Sequence, residues 1–373
     1  MKLGILGAGQ LGRMLAQAAA PLGVECRFLA PAGETCVQGL GELLQGDMSD
    51  DLLLTRFAKG LDAVTYEWEN VPAAAVERLA RLVPVRPGAR SLRCAQDRVH
   101  EKQFFRGCGL TVQAFAPVDA PRDFVPALAG VPLPAMLKTR RMGYDGKGQA
   151  RIDAPDDLPA AFERLGSVPC ILEAFVPFES EMSLLGVRSV NADGREEIRL
   201  WSPCRNEHRD GILDRTVAPA ANLPEAWLAR ARAGMAATLS GLDHEGVLCI
   251  EFFVSRDGLV ANEMAPRVHN SGHWTIEGAQ TSQFENHVRA ALRMPLGPTE
   301  SGAVSVLRNL VGDVPVPGAK MPASVHLHLY GKSPRTGRKL GHLTAVAQRE
   351  SDAMSAADAA FAALNGQPAS ARG

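Results

Sequence analysis

Little in this 373-residue chain points to a large charged or lipid partner. Lys and Arg number 40 against 41 Asp and Glu, a net charge of −1, so no basic field exists to draw nucleic acid and no cationic face is offered to a membrane. No apolar run reaches the roughly 20 residues that a spanning helix needs. The seven cysteines, at 26, 36, 94, 108, 170, 204 and 249, never fall in a Cys-x-x-Cys spacing. They read as small buried residues in a reducing cytosol, neither a disulfide frame nor a zinc site. There is no internal repeat and no low-complexity block. Met1-Lys2 passes straight into a strand-and-glycine pattern without the features of a signal peptide, so a cytoplasmic location is expected. The length suits two or three domains.

Two further absences concern nucleotides. The chain has no Walker pattern, which needs a Lys-Ser or Lys-Thr pair opening a helix. It does carry Gly7, Gly9 and Gly12 after an apolar strand at 3–6, in the spacing of the dinucleotide fingerprint. The acid that a dinucleotide ribose requires is missing, however. The second strand, 26–29, runs into Ala30-Pro31, and the first acid beyond is Glu34. Gly9, Gln10 and Leu11 are therefore expected to cradle a monophosphate at the following helix N-terminus, though a purely structural glycine turn would leave the same trace.

What is present centres on residues 137–149: an apolar strand bearing Lys138, the pair Arg140-Arg141, then Gly143-Tyr144-Asp145-Gly146-Lys147-Gly148-Gln149. Glycines let backbone amides turn toward an anion, and Lys138 and Lys147 add charge, so the segment predicts a hairpin lid over polyphosphate. Downstream, strands at 246–254 and 259–264 flank Ser255-Arg256-Asp257-Gly258, a hairpin signal. A five-residue loop would oppose Glu251 to Glu263, whereas a four-residue loop would oppose it to Asn262. Either pair is a hard-oxygen site suited to Mg²⁺, and the apolar neighbours Ile250, Phe252 and Phe253 argue against a plain solvated face. The next residues, Arg267, His269, Asn270, Ser271 and His273, are dense in hydrogen-bonding groups, with Arg267 able to grip a phosphate or carboxylate. His273 is equally readable as a packed structural histidine.

Other signals are weaker. A strand at 169–175 carries Glu173-Ala174-Phe175-Val176, whose backbone could meet a purine ring, and Glu181 could meet a ribose. His208 reads equally as a loop histidine decorating the surface. The loop at 331–341, with Lys332, Arg335, Arg338 and Lys339 and with His342 beyond, is either a solvated face or a second anion-binding wall. The opening β-α-β pattern, with a third strand at 63–66 and a helix near Ala73, predicts a parallel sheet covered on both faces. Residues 96–108 predict a polar helix entering the next domain. Further strands are expected at 183–190, 196–201, 303–310 and 324–329, a helix at 225–239, and an alanine-rich helix with a frayed tail at the end.

Taken together, Gly7-Ala8-Gly9-Gln10-Leu11-Gly12-Arg13-Met14, Thr65-Tyr66-Glu67-Trp68-Glu69-Asn70-Val71-Pro72, the 143–149 loop and the run Asn262 to Trp274 resemble the ATP-grasp enzymes, specifically the N5-carboxyaminoimidazole ribonucleotide synthetase family. The resemblance runs in order to about Leu343. It implies an α/β fold in three parts: a doubly wound, Rossmann-like (biotin-carboxylase-N-type) domain at 1–96, a two-lobed ATP-grasp domain at 97–300 and a small β-rich domain at 301–373. The lid subdomain would span about 112–180, the Mg/ATP lobe 181–300, and a flexible tail 365–373. By the same resemblance Arg98 and Lys138 contact ATP phosphates, Gly143–Gln149 close as the lid, residues 173–176 hold adenine, Glu181 the ribose and His208 the nucleotide edge. Glu251 and Glu263 would hold Mg²⁺, with Asn262 beside the phosphates. The ribonucleotide would meet Gly9, Gln10, Leu11, Glu69, Tyr144, Asp145, Arg267, His269, Asn270, Ser271, Lys332 and Arg338. Asp145, Arg267 and Lys332 are the implied catalytic groups, Asp145 as base or hydrogen-bond acceptor. Met142 departs from the family, which usually shows glycine there, and the alanine-rich tail has no counterpart. The implied reaction joins bicarbonate to 5-aminoimidazole ribonucleotide at the expense of ATP, in a homodimer. The rivals are a formate-using glycinamide ribonucleotide transformylase, a nicotinamide oxidoreductase and a non-catalytic nucleotide-binding regulator.

Overall fold

The computed structural model describes residues 1–33, 36–143, 148–191, 193–312 and 321–365. The first sheet is parallel, in the order β3-β2-β1-β4, with β1 Lys2–Leu6, β2 Glu25–Ala30, β3 Glu42–Gln45 and β4 Ala63–Tyr66. Neighbouring residues of these strands bury to opposite sides. Leu3, Ile5 and Ala63 join one core with the helix α1 Gln10–Ala19, while Leu6, Val64 and Tyr66 join another with α2 Asp51–Ala58 and α3 Ala73–Leu79. The sheet is thus covered on both faces, as its apolar strands predicted. The loops after β1 and β4 leave the same sheet end side by side, where an open α/β sheet changes direction and gathers its functional residues.

Two short helices, α4 Ala89–Ala95 and α5 Arg98–Gly107, lead to a second, antiparallel sheet in the order β5-β8-β6-β7. It comprises β5 Phe115–Val118, β6 Ala135–Thr139, β7 Gln149–Ile152 and β8 Cys170–Ala174, with α6 Phe124–Gly130 and α7 Asp157–Arg164 packed on it. The expected lid hairpin is β6–β7, with Lys138 opposite Gln149.

The third sheet has nine strands: β9 Ser180–Val190, β10 Glu196–Leu200, β11 Cys204–Arg209, β12 Ile212–Ala218, β13 Gly246–Ser255, β14 Gly258–Ala265, β15 Val304–Val311, β16 Val325–Leu329 and β17 Lys339–Ala347. Their order is β14-β13-β9-β11-β12-β15-β17-β16, with β10 paired to β9. The helices α8 Glu225–Gly241, α9 Thr275–Gly278, α10 Gln283–Ala291 and α11 Glu350–Leu364 accompany it. Because β12 pairs with β15, the sheet runs without a break across residue 300. Several elements were not foreseen, β11, β12 and β17 among them. The basic loop is shorter than expected because Lys339 already belongs to β17.

Candidate active site

The helix α5 starts cleanly because Asp97 caps it, its carboxylate accepting from the Val99 and His100 amides at 3.1 and 3.4 Å. Arg98, Glu101 and Lys102 then recur at i, i+3 and i+4 and share one face. Arg98 reaches Glu263 at 2.8 Å. Lys102 is fully buried. On β6, Lys138 lies 2.7 Å from Glu173 of β8. Glu173 is itself 1% exposed. Burial opposes its charge, but Lys102, Lys138 and Arg98 together hold its carboxyl down at about 2. The Glu173 side chain therefore anchors the cationic groups from behind. Of the backbone expected to face a purine, the Ala174 and Phe175 amides are bonded to Ala114 and Pro134 carbonyls, both at 2.9 Å. Glu181 and His208 form a hydrogen-bonded pair; burial disfavours the charged imidazole, and the carboxylate outweighs it, raising its pKa.

Tyr144, Asp145, Gly146 and Lys147 lie outside the described residues. The base of the loop is well defined: the Thr139 amide donates to Gly148 at 2.9 Å, and Arg140 clasps Asp97 at 2.8 Å and Asp119 at 2.9 Å. Arg140 thus ties the loop to α5. Met142, where glycine is usual, takes a left-handed conformation with φ 63°.

The β13–β14 hairpin settles the register question in a way neither loop length anticipated. Ser255 pairs with Gly258 across a two-residue turn, and the ladder continues to Phe252 opposite Ala261. That register alone would set Glu251 against Asn262. A bulge intervenes with Asn262 as the extra residue, so Glu251 faces Glu263. Their side chains keep 19% and 40% of their surface open. Burial and the facing Glu263 push Glu251 up to about 8, whereas Arg98 overcomes burial and lowers Glu263. The Asn262 Oδ1 is buried without a hydrogen-bond partner. Two opposed carboxylates repelling each other beside an orphaned amide oxygen are a donor set that fits a hard divalent cation. His269 sits 3.9 Å from Glu251 but burial and Arg267 keep it neutral, so the contact is not an ion pair.

The groups expected to meet a ribonucleotide converge from three parts of the chain. Arg267, after β14, is paired with Glu69, after β4. Lys332 donates to the Gln10 side chain, joining the late basic loop to the loop after β1. His269 and Ser271 are 2.8 Å apart, and Asn270 is locked in a reciprocal amide pair with Asn309 at 3.0 and 2.9 Å. Arg338 is half-buried, and its side chain is bonded within its own loop, to Ser333 at 3.2 Å. The glycine loop holds a surprise. The Gly9 and Gly12 amides donate to the Glu67 carboxylate. A Cβ added to Gly7 would stand 2.4 Å from Glu67 Cγ. Glu67 lies against all three glycines and takes the Gly9 and Gly12 amides, so those two are not waiting for a phosphate, and the Gly7 amide donates to the Leu29 carbonyl at 2.8 Å. Sequence reasoning missed Glu67, Glu101 and Lys102. The spacing of the last two with Arg98 behind a capping Asp was the available signal.

Comparison with known proteins follows the same three parts. The ribonucleotide synthetase preATP-grasp domain profile matches residues 1–96, the ATP-grasp domain profile 103–284, and the phosphoribosylaminoimidazole carboxylase C-terminal domain profile 305–356. The N5-carboxyaminoimidazole ribonucleotide synthase of Pseudomonas aeruginosa is 49% identical over 349 residues, covering 92% of this chain and 94% of its own. The N5-carboxyaminoimidazole ribonucleotide synthetase of Thermus thermophilus superposes with a TM-score of 0.90 at 47% identity, over 97% of this chain and 98% of that one. The Aspergillus clavatus enzyme, solved with ADP and 5-aminoimidazole ribonucleotide, gives a TM-score of 0.85 at 27% identity over 98% of each chain. With three domain profiles in the observed order and close identity along nearly the whole length, the chain belongs to the N5-carboxyaminoimidazole ribonucleotide synthase family of ATP-grasp ligases.

Proposed function

We propose that this chain carries out its family's reaction: ATP, bicarbonate and 5-aminoimidazole ribonucleotide give N5-carboxyaminoimidazole ribonucleotide, ADP and phosphate by way of carboxyphosphate. This is a step of purine biosynthesis. The observation that carries the reading is the bulge that sets Glu251 against Glu263 beside Arg98 and Lys138. The match of the C-terminal carboxylase profile favours bicarbonate over the formate of the transformylase rival.

Bicarbonate is a poor electrophile and must be activated. In this reading the ATP phosphates rest on Arg98 and Lys138 under the 143–149 loop, with Asn262 beside them. Adenine lies along 173–176, its edge contacts falling to carbonyls and Val176 because two amides are already bonded. Glu181 takes the ribose hydroxyls and His208 the nucleotide edge. Glu251 and Glu263 hold Mg²⁺, which when bound supplies positive charge against the phosphate oxygens. Arg98 and Lys138 offset charge on the transferring phosphoryl group, because they are fixed in place before it arrives. Glu173 is what fixes Lys138.

Carboxyphosphate must then be kept from water. Arg267, aimed by Glu69, holds its anionic end, while Gln10, Leu11 and Lys332 seat the ribonucleotide phosphate and His269, Ser271 and Tyr144 border the ring. Asp145 accepts a hydrogen bond or the proton from the attacking amine, and Lys332 steadies the developing charge. Holding both reactants aligned is worth roughly 7–11 kcal/mol of barrier when the geometry is good. A cytoplasmic homodimer completes the proposal; no helix among the described residues is long and apolar enough to cross a membrane. The test is ADP release with 5-aminoimidazole ribonucleotide, with bicarbonate, with formate, or with neither. Release that needs bicarbonate is expected, and release driven by formate overturns the reading.

A further inference from the structure

From the hydrogen bonds of one buried side chain we infer that Lys102 is a positioning residue for the carboxylate pair: it pins the β14 bulge that brings Glu263, rather than Asn262, opposite Glu251. This rests on the reading of that pair as the Mg²⁺ site. The hairpin has two registers available. Its turn and first four pairs, Ser255–Gly258 to Phe252–Ala261, favour the one that would face Glu251 with an amide. A bulge leaves backbone groups outside the ladder, and buried groups of that kind need another partner.

Lys102 supplies it. Its Nζ is fully buried and donates to the Asn262 carbonyl at 2.6 Å and the Ala261 carbonyl at 3.2 Å, with a third contact to Gln113 Oε1 at 3.3 Å. An ammonium has three protons, and three acceptors are present. The adjacent Glu101 takes the Met264 amide at 2.6 Å, on the other side of the bulge. The Ala261 amide donates to the Thr111 carbonyl at 2.8 Å. The bulge is thereby held by α5 and by the Thr111 carbonyl, while Arg98 one turn earlier holds the Glu263 carboxylate itself. Lys102 also lies 3.6 Å from Glu173, which balances its charge and steadies Lys138. A side chain with no donor would leave the Asn262 carbonyl unsatisfied in the bulge, and the regular register, which returns that carbonyl to the ladder, would become the better-bonded one.

The experiment titrates ADP into wild-type protein, Lys102→Met and Lys102→Gln by calorimetry, in EDTA and at rising Mg²⁺. Lys102→Met is expected to bind ADP as wild type does in EDTA, but to need about 10–100-fold more Mg²⁺ to strengthen that binding. Lys102→Gln, which keeps a donor, is expected to fall between. A crystal structure of Lys102→Met should show Glu251 opposite Asn262. A general packing defect would weaken ADP binding in EDTA equally, and an Mg²⁺ dependence unchanged from wild type overturns the inference. Should Lys102→Met fail to fold, an unshifted Lys102→Gln overturns it in the same assay. Wild-type ADP binding that ignores Mg²⁺ overturns the metal reading first, and the inference with it.

Discussion

Two glycine loops in this molecule look alike in sequence and are built for opposite purposes. The loop after β1 spaces Gly7, Gly9 and Gly12 around a carboxylate of its own chain, Glu67, which fills the space that side chains would occupy and takes the amides. In the loop after β6 the described base is braced by Thr139 on Gly148 and by Arg140 on two aspartates. Glycine spacing thus reports that something approaches the backbone closely, and not what it is. In the first loop the visitor is permanent. In the second it is proposed to be ATP.

The sharpest contrast comes from removing one carboxylate on each side. Glu263→Gln takes charge from the cleft under the second loop; Mg-ATP turnover should fall by about 10³-fold or more with the melting temperature unchanged. Turnover near wild type would take Glu263 out of the metal site. Glu67→Ala acts on the first loop, and there the expected loss is stability. Two charge-assisted bonds vanish and the Gly9 and Gly12 amides lose their acceptor, for about 3 kcal/mol by urea unfolding. A stable Glu67→Ala protein would mean the first loop does not depend on its own carboxylate, and the comparison would collapse.

Legibility in the sequence follows the same divide. Apolar strands, glycine punctuation and the hairpin turn announced β1, β2, β4, β6, β13 and β14 because those signals are local. The site was legible as a set of residues, yet the register was not. Counting from the turn gives Glu251 opposite Asn262, and only a bulge held by Lys102, some 160 positions away in sequence, sets it against Glu263. In the same way nothing near Gly7 announces Glu67, and the reciprocal Asn270–Asn309 pair depends on β15 arriving next to the loop after β14. The nine-stranded sheet was hardest to foresee, since β11, β12 and β17 interrupt their apolar residues with polar ones such as Asn206, Arg215 and His342. What depends on long-range pairing stays hidden from a linear reading.

Acid should distinguish the sealed part of the molecule from the cleft. The N-terminal sheet is joined to the central domain through Thr65, whose hydroxyl lies 2.7 Å from His287, while the other ring nitrogen of His287 accepts from the Val247 amide at 3.0 Å. His244 is buried nearby, bonded to Ser91 at 2.9 Å. Burial holds His287 down at about 3 and His244 at about 4. Both are neutral when folded, but an unfolded histidine takes a proton below about pH 6.5. Above that value the two states bind equal numbers of protons and these groups are silent. Below it the unfolded chain binds more, so stability falls as the pH drops from 6.5 toward 4, by up to about 1.4 kcal/mol per unit for each histidine. His269, His273 and His342 are held down by burial as well, so His287→Gln should remove only about a fifth of the histidine slope, measured as melting temperature against pH. An unchanged slope would show that the junction is wetter than its packing indicates.

The smallest effect expected separates the two loops at a single backbone angle. Gly7 has φ 109° with Glu67 pressed against it, so any side chain there is excluded twice, by conformation and by space. Met142 has φ 63° and is 67% exposed, so only conformation opposes its side chain. A left-handed non-glycine residue costs about 1–2 kcal/mol, and glycine returns about 0.5–1 of that through the freedom it gives the unfolded chain. Met142→Gly should therefore raise stability by only about 0.5 kcal/mol, while Gly7→Ala should be severely destabilising. A clear loss of stability in Met142→Gly would mean that the methionine side chain is held by contacts its exposure does not suggest, and that the second loop, too, has a built-in occupant at its edge.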